Sequence, residues 1–131
     1  MRTSEEIESD IYRCIMATDF PNQISGVVKI KPRPMGSRSE DCIVSVLANP
    51  YAQKQVATVN VNIYVQDNIA ERQTEKASIR IKELKRLFYN KFKEIHGDDY
   101  DAHILSQDTF SADGADEHVI NNKIEYKHIN E

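Results

Sequence analysis

Tryptophan is absent from this 131-residue chain, and glycine and proline number only four each. With so few glycines, none of them clustered, a Gly-rich cradle for nucleotide phosphates is not expected. The two cysteines, Cys14 and Cys42, form no CxxC pair. They can build neither a disulfide framework nor a zinc knuckle, and a reducing cytosolic compartment is expected. No run approaches the roughly 20 apolar residues of a membrane helix, and the opening MRTSEEIESD is polar rather than signal-like. Positive charge is not in excess either: the net charge is −4 and the pI about 5.6, which argues against a general binder of nucleic acid or anionic membrane. What remains is an ordinary globular mixture, 40% hydrophobic and 29% charged, long enough for one domain and too short for two.

Periodicity orders the chain. Thr3 followed three residues later by Glu6 has capping-box spacing, and Ile7, Ile11, Cys14 and Ile15 then mark one helical stripe that should end at Phe20-Pro21. Residues 24–31 alternate as a short strand, and 32–39 (PRPMGSRS) read as a proline-stiffened loop. In 41–47, Cys42, Val44 and Val46 share one face while Ile43 and Leu47 share the other, predicting a strand covered on both faces, or on one face and part of the other. In 55–65, Ala57, Val59, Val61, Ile63 and Val65 oppose Thr58, Asn60, Asn62 and Tyr64, predicting a strand with one core face and one face toward water or a partner. The spacing of Ala77, Ile81, Leu84, Phe88, Phe92 and Ile95 predicts a helix over 69–95, with Gly97 at its C-cap. Two strands, 101–110 and 117–129, flank an Asp113-Gly114 hairpin signal. Residues 1–131 are thus expected to form a single α+β domain in the order α-β-β-β-α-β-β, a mostly antiparallel sheet with two helices packed on one face.

Catalytic chemistry is hard to find in the pattern. There is no G-x-S-x-G and no H-E-x-x-H, and both cysteines sit where buried thiols pack rather than react. Aligning Gly114 with the sixth position of an EF-hand loop puts Ile120 where the bidentate glutamate must be. The aspartates of 97–117 therefore read as turn and solvation residues, with a weak cation site as the alternative. No catalytic residue, cofactor or metal is expected, and the chain reads as a non-enzyme.

Charge is distributed unevenly. Residues 72–93 carry eight Lys/Arg against Glu75 and Glu83, whereas 97–119 carry seven acids and no Lys/Arg. Such a two-signed surface is either solvated or suited to contact with other copies. Lys29, Lys31, Arg33 and Arg38 form a basic projection around the proline loop, read either as a plain exposed excursion or as a docking element for a partner's carboxylates or for phosphate, with Asn60, Asn62 and Tyr64 as a second candidate interface. No aromatic residue interleaves with those cations, so sequence-specific nucleic-acid binding is not expected.

Two stretches, Arg33-Pro34-Met35-Gly36-Ser37-Arg38-Ser39-Glu40-Asp41 and Val59-Asn60-Val61-Asn62-Ile63-Tyr64-Val65-Gln66-Asp67, resemble the tail-completion proteins of phages and prophages, and are similar to the tail terminators of long-tailed phages. The motif similarity covers about residues 20–70. Gln66 departs from it, standing where that family's turn would carry proline. The resemblance implies an α+β subunit that forms a homo-oligomeric, hexameric ring, caps the finished tail tube and meets the head-connector proteins. It implies assembly in the bacterial cytoplasm and residence in the virion tail. A head-closure or neck adaptor is the alternative within that class, and a free-standing cytosolic binding domain the alternative outside it.

Overall fold

The structure is a computed structural model that describes residues 1–67, 78–112 and 116–129. Helix α1 (Ser4–Met16) starts as its spacing predicts: the Thr3 hydroxyl accepts from Glu6 N–H and the Glu6 carboxylate accepts from Thr3 N–H. It ends earlier than expected, at Met16, and Phe20–Gln23 forms a separate 3₁₀ turn. Then come β1 (Val28–Ile30), β2 (Cys42–Ala48), β3 (Val56–Gln66), α2 (Ser78–Phe92), β4 (Glu94–His96), β5 (Tyr100–Ser111) and β6 (Glu117–His128). One six-stranded sheet results, in the order β1-β2-β3-β6-β5-β4, antiparallel except for the β1–β2 pair. The α+β class and the mostly antiparallel sheet agree with the sequence pattern.

One side of the sheet carries the core. Ile7, Ile11 and Ile15 from α1 and Ile81, Leu84, Phe88 and Phe92 from α2 join Ala57, Val59, Val61, Ile63 and Val65 of β3 in a single buried cluster. Asn122 of β6 sits fully buried among them, and its polarity is matched: its Nδ2 donates to Val61 O, and its Oδ1 accepts from Gln107, which also donates to Lys85 O. Two buried carboxylates fasten α1 to the sheet. Asp10 accepts from Arg2, Arg13 and the Tyr126 hydroxyl. Glu8 accepts from Val46 N–H at 2.9 Å and pairs with Lys31 at 3.0 Å, satisfying β2 where β1 no longer reaches it.

Three expectations need correction. The long helix stops at Phe92 rather than running to Ile95, while its expected first part, 69–77, lies outside the described residues. Ile95 belongs to β4, where it pairs with Ala102 and is buried. An inward residue three after Phe92 satisfies the helical stripe and a short strand equally, so periodicity could not separate them. Gly97 is no helix cap: it donates to Tyr100 O in the β4–β5 turn, and any side chain on it would overlap the Tyr100 ring. Finally, the strand expected over 24–31 is only three residues long and parallel to β2. The Asp113-Gly114 hairpin signal also falls outside the described residues.

Because β1 and β2 run parallel, the proline loop cannot be a hairpin turn. It is a crossover that returns the chain to the start of β2, and the shortness of both paired segments lets 31–41 suffice without a helix. Its Arg33 reaches over Tyr64, on the face of β3 opposite the valine row.

Candidate functional site

The crossover is tied down by its own motif residues. Arg33 Nε donates to Asp41 Oδ2 at 2.8 Å, Arg33 Nη1 donates to Glu117 Oε1 at 2.7 Å, and Arg33 Nη2 donates to Ser39 O at 3.0 Å. The guanidinium also lies over Tyr64, 3.9 Å from its ring centroid. Asp41 takes further bonds from the Ser37 hydroxyl and Val27 N–H, and Gln66 donates to Glu117. A side chain on Gly26 would run into Asp41, so that glycine lets the two segments close together. Beside this, Glu40 accepts a two-pronged contact from Arg80, which also donates to Gln23 O and Glu83. The arginine, serine, glutamate and aspartate of the R-P-x-x-S-x-x-E-D stretch thus form one closed clamp joining the crossover, β6 and α2.

Burial works against the charge on Asp41, but the bonds from Arg33, Ser37 and Val27 N–H outweigh it and hold the carboxyl below its ordinary value of 3.8. Glu40 is likewise held below 4.5, burial opposing and Arg80 prevailing with help from the Ser25 backbone.

Of the four cations expected in a basic projection, three are engaged within the chain. Arg33 is the centre of the clamp, Lys31 pairs with Glu8, and Lys29 Nζ donates to Pro32 O at 2.8 Å. Arg38 is exposed and has no hydrogen-bond or ion-pair partner among the described residues. The inward turn of Arg33 corrects the picture of a free projecting arginine pair. Its partner Glu117 is 84 positions away, a relation no local pattern could reveal. Asn60 and Asn62, half-buried on the same non-core face, both accept from Asn121 Nδ2, at 3.1 and 2.7 Å. Tyr64 lies under Arg33 at the end of that row, paired across the sheet with Val119.

One constellation escaped sequence reasoning. His118 Nδ1 lies 2.6 Å from Asp67 Oδ1 and its Nε2 lies 3.2 Å from Ser111 Oγ, the order of groups in a serine nucleophile relay. Ser111 and His118 are cross-strand partners, a relation visible only once β5 and β6 are in register. The described amide that follows Ser111, Ala112 N–H, is bonded to Glu117 O at 3.0 Å and is not available to a developing oxyanion. Ser111 is therefore expected not to react with a fluorophosphonate probe, read by intact mass, whereas stoichiometric adduct formation would establish it as a nucleophile. The cysteines offer no substitute. Burial raises both thiols, Cys42 strongly and with the Asp41 charge adding to it. Among the described residues no group of three or more His, Cys, Asp or Glu is placed to hold a metal ion, and no helix is long and apolar enough to cross a membrane.

The outer side of α2 carries Lys82, Lys85 and Arg86, and Lys93 follows its last residue; none of them is within ion-pair distance of a carboxylate among the described residues. This contrasts with Arg80 and Lys91 on the same helix, which pair with Glu40 and Asp19. Asp98, Asp99 and Asp116 are exposed and likewise without ion-pair partners there. Compared with known proteins, the chain matches no family model and no curated protein sequence.

Proposed function

We propose that this protein is a structural, non-enzymatic subunit of phage tail completion, forming a terminator-like ring that caps the tail tube and meets the head connector. The observation that carries the reading is the unspent charge of both signs: Lys82, Lys85, Arg86 and Lys93 against Asp98, Asp99 and Asp116. Charges that make no internal pairs cost little in a solvated monomer and become useful when copies meet in register. The clamp adds a second support. The motif that carries the resemblance is engaged in holding the subunit's shape, as an assembly part requires, rather than converging on a reacting atom.

Sedimentation at low salt, with and without isolated tail tubes, tests this. A hexameric species is expected, alone or only on tube ends, weakening as salt screens the exposed charges within about a 10 Å Debye length near 0.1 M. Rings imaged at the connector instead would favour a head-closure or neck adaptor. A monomer under all conditions, with no density at tube ends, would refute the proposal.

A further inference from the structure

Strand β5 is unequally covered. It spans Tyr100–Ser111 and pairs with β6 along nearly its whole length, but β4 covers its other side only at Asp101–His103. A register shift between Ile104 and Ser106 follows at once, the mark of a bulge, and no β4 pairing continues past it. The bond from Ala112 N–H to Glu117 O sets the phase of what remains. In an antiparallel ladder alternate residues bond the same neighbour, so Phe110 and Asp108 bond β6 while Gln107, Thr109 and Ser111 turn their backbone N–H and C=O outward. No hydrogen bond from another described element reaches those backbone groups. Among the described residues they present an open edge about 14 Å long.

That edge forms one wall of a groove of about 900 Å³, and α2 forms the other. Lys82, Lys85 and Arg86 line the helical wall, with Asp108 the one acid among the lining residues. Tyr89, 45% exposed, offers an apolar surface, and Thr109 Oγ1 is buried without a partner among the described residues. We infer that this groove is a strand-addition site, in which an extended, acidic segment of a partner protein pairs with β5 and places its carboxylates against α2.

Two features select that occupant. The edge offers donors and acceptors in alternation, which a polypeptide strand matches on both counts, whereas a phosphate backbone accepts only and would leave the carbonyls unmet. A second copy is a poorer occupant: its margins β1 and β4 are three residues each, and its own β5 would bring a second set of Lys82, Lys85 and Arg86 up to the first. The cations give the charge preference and discourage pairing with neutral or basic edges, a common need at an open strand. This assignment shares Lys82, Lys85 and Arg86 with the ring proposal but stands on the edge of β5, which a monomer presents as well as a ring does.

The probe is a capped heptapeptide alternating glutamate with valine and threonine, observed by amide NMR and hydrogen exchange on the full chain. Exchange at Gln107, Thr109 and Ser111 should slow on binding, and Lys85→Glu with Arg86→Glu should weaken binding by about tenfold or more. Thr109→Pro removes an outward N–H without touching the β6 ladder, so it should abolish binding while leaving the melting temperature nearly unchanged. If that variant does not fold, a probe N-methylated at the amides facing β5 tests the same bond from the other side and should not bind. Equal binding by the lysine version, equal protection by the N-methylated probe, or no binding at millimolar probe would overturn the assignment. So would protection of the same amides in the free protein, rising with its concentration, which would give the groove to a second copy.

Discussion

Arg33→Ala is expected to cost about 3 kcal/mol of folding stability, a fall in melting temperature on the order of 10 °C. The side chain of Asp41 is 2% exposed and that of Glu117 9%, so removing the guanidinium leaves two buried carboxylates without their shared counter-ion. Arg33 itself keeps 16% of its side chain in water, which places the loss at the lower end of what breaking a buried pair costs. Arg38→Ala, at an exposed residue without a partner among the described residues, should stay within about 0.5 kcal/mol. The pH dependence carries the same signature. The folded pKa values of Asp41 and Glu40 are depressed, so their contribution is complete above the ordinary values of 3.8 and 4.5 and is lost as pH falls through the folded ones. Wild-type unfolding should therefore steepen below about pH 4, and Arg33→Ala should flatten that limb along with lowering the plateau. Chemical denaturation across pH 2.5–7 reads both. Equal stability of Arg33→Ala and Arg38→Ala would mean that the clamp contributes nothing and that the crossover is held by its backbone alone.

The parts of the fold that were legible share one property: each is written in residues close along the chain. The Thr3/Glu6 capping box and the valine row of β3 need only local periodicity, and both formed as their spacing predicts. What was not legible depends on partners far away or on a choice between two satisfied patterns. Ile95 fits a helical stripe and an inward strand position equally. The proline loop reads as an exposed excursion because prolines, glycine and arginines are surface residues on average. Only the parallel β1–β2 pairing shows that it crosses the sheet and brings Arg33 to Glu117. The same limit hid the Ser111–His118–Asp67 relay and the open edge of β5, both consequences of register rather than of composition. Arg38, by contrast, is exposed as its sequence neighbourhood suggests, because no distant residue among those described bonds to it.

The largest loss expected from a core substitution is at Phe88, where alanine should cost about 3–5 kcal/mol. The stripe that predicted the long helix converges there. Phe88 is fully buried, its ring centroid 5.3 Å from Phe20 in an edge-on arrangement and 4.6 Å from Phe92. Phe20 also meets Phe92 at 6.0 Å, so the three rings close a triangle that joins α2 to the 3₁₀ turn after α1. Truncating Phe88 removes its transfer free energy and leaves a space that two rigid rings cannot fill by rotamer change. A cycle with Phe20→Ala should show coupling of about 0.5–1.5 kcal/mol, the share belonging to ring-on-ring geometry rather than to area. Lys85→Ala on the same helix faces the groove, and its stability should change by no more than about 0.5 kcal/mol. Urea denaturation of the four variants checks this. If Phe88→Ala and Lys85→Ala unfold at the same denaturant concentration, the face that α2 turns to the sheet is not the one carrying Ile81, Leu84, Phe88 and Phe92.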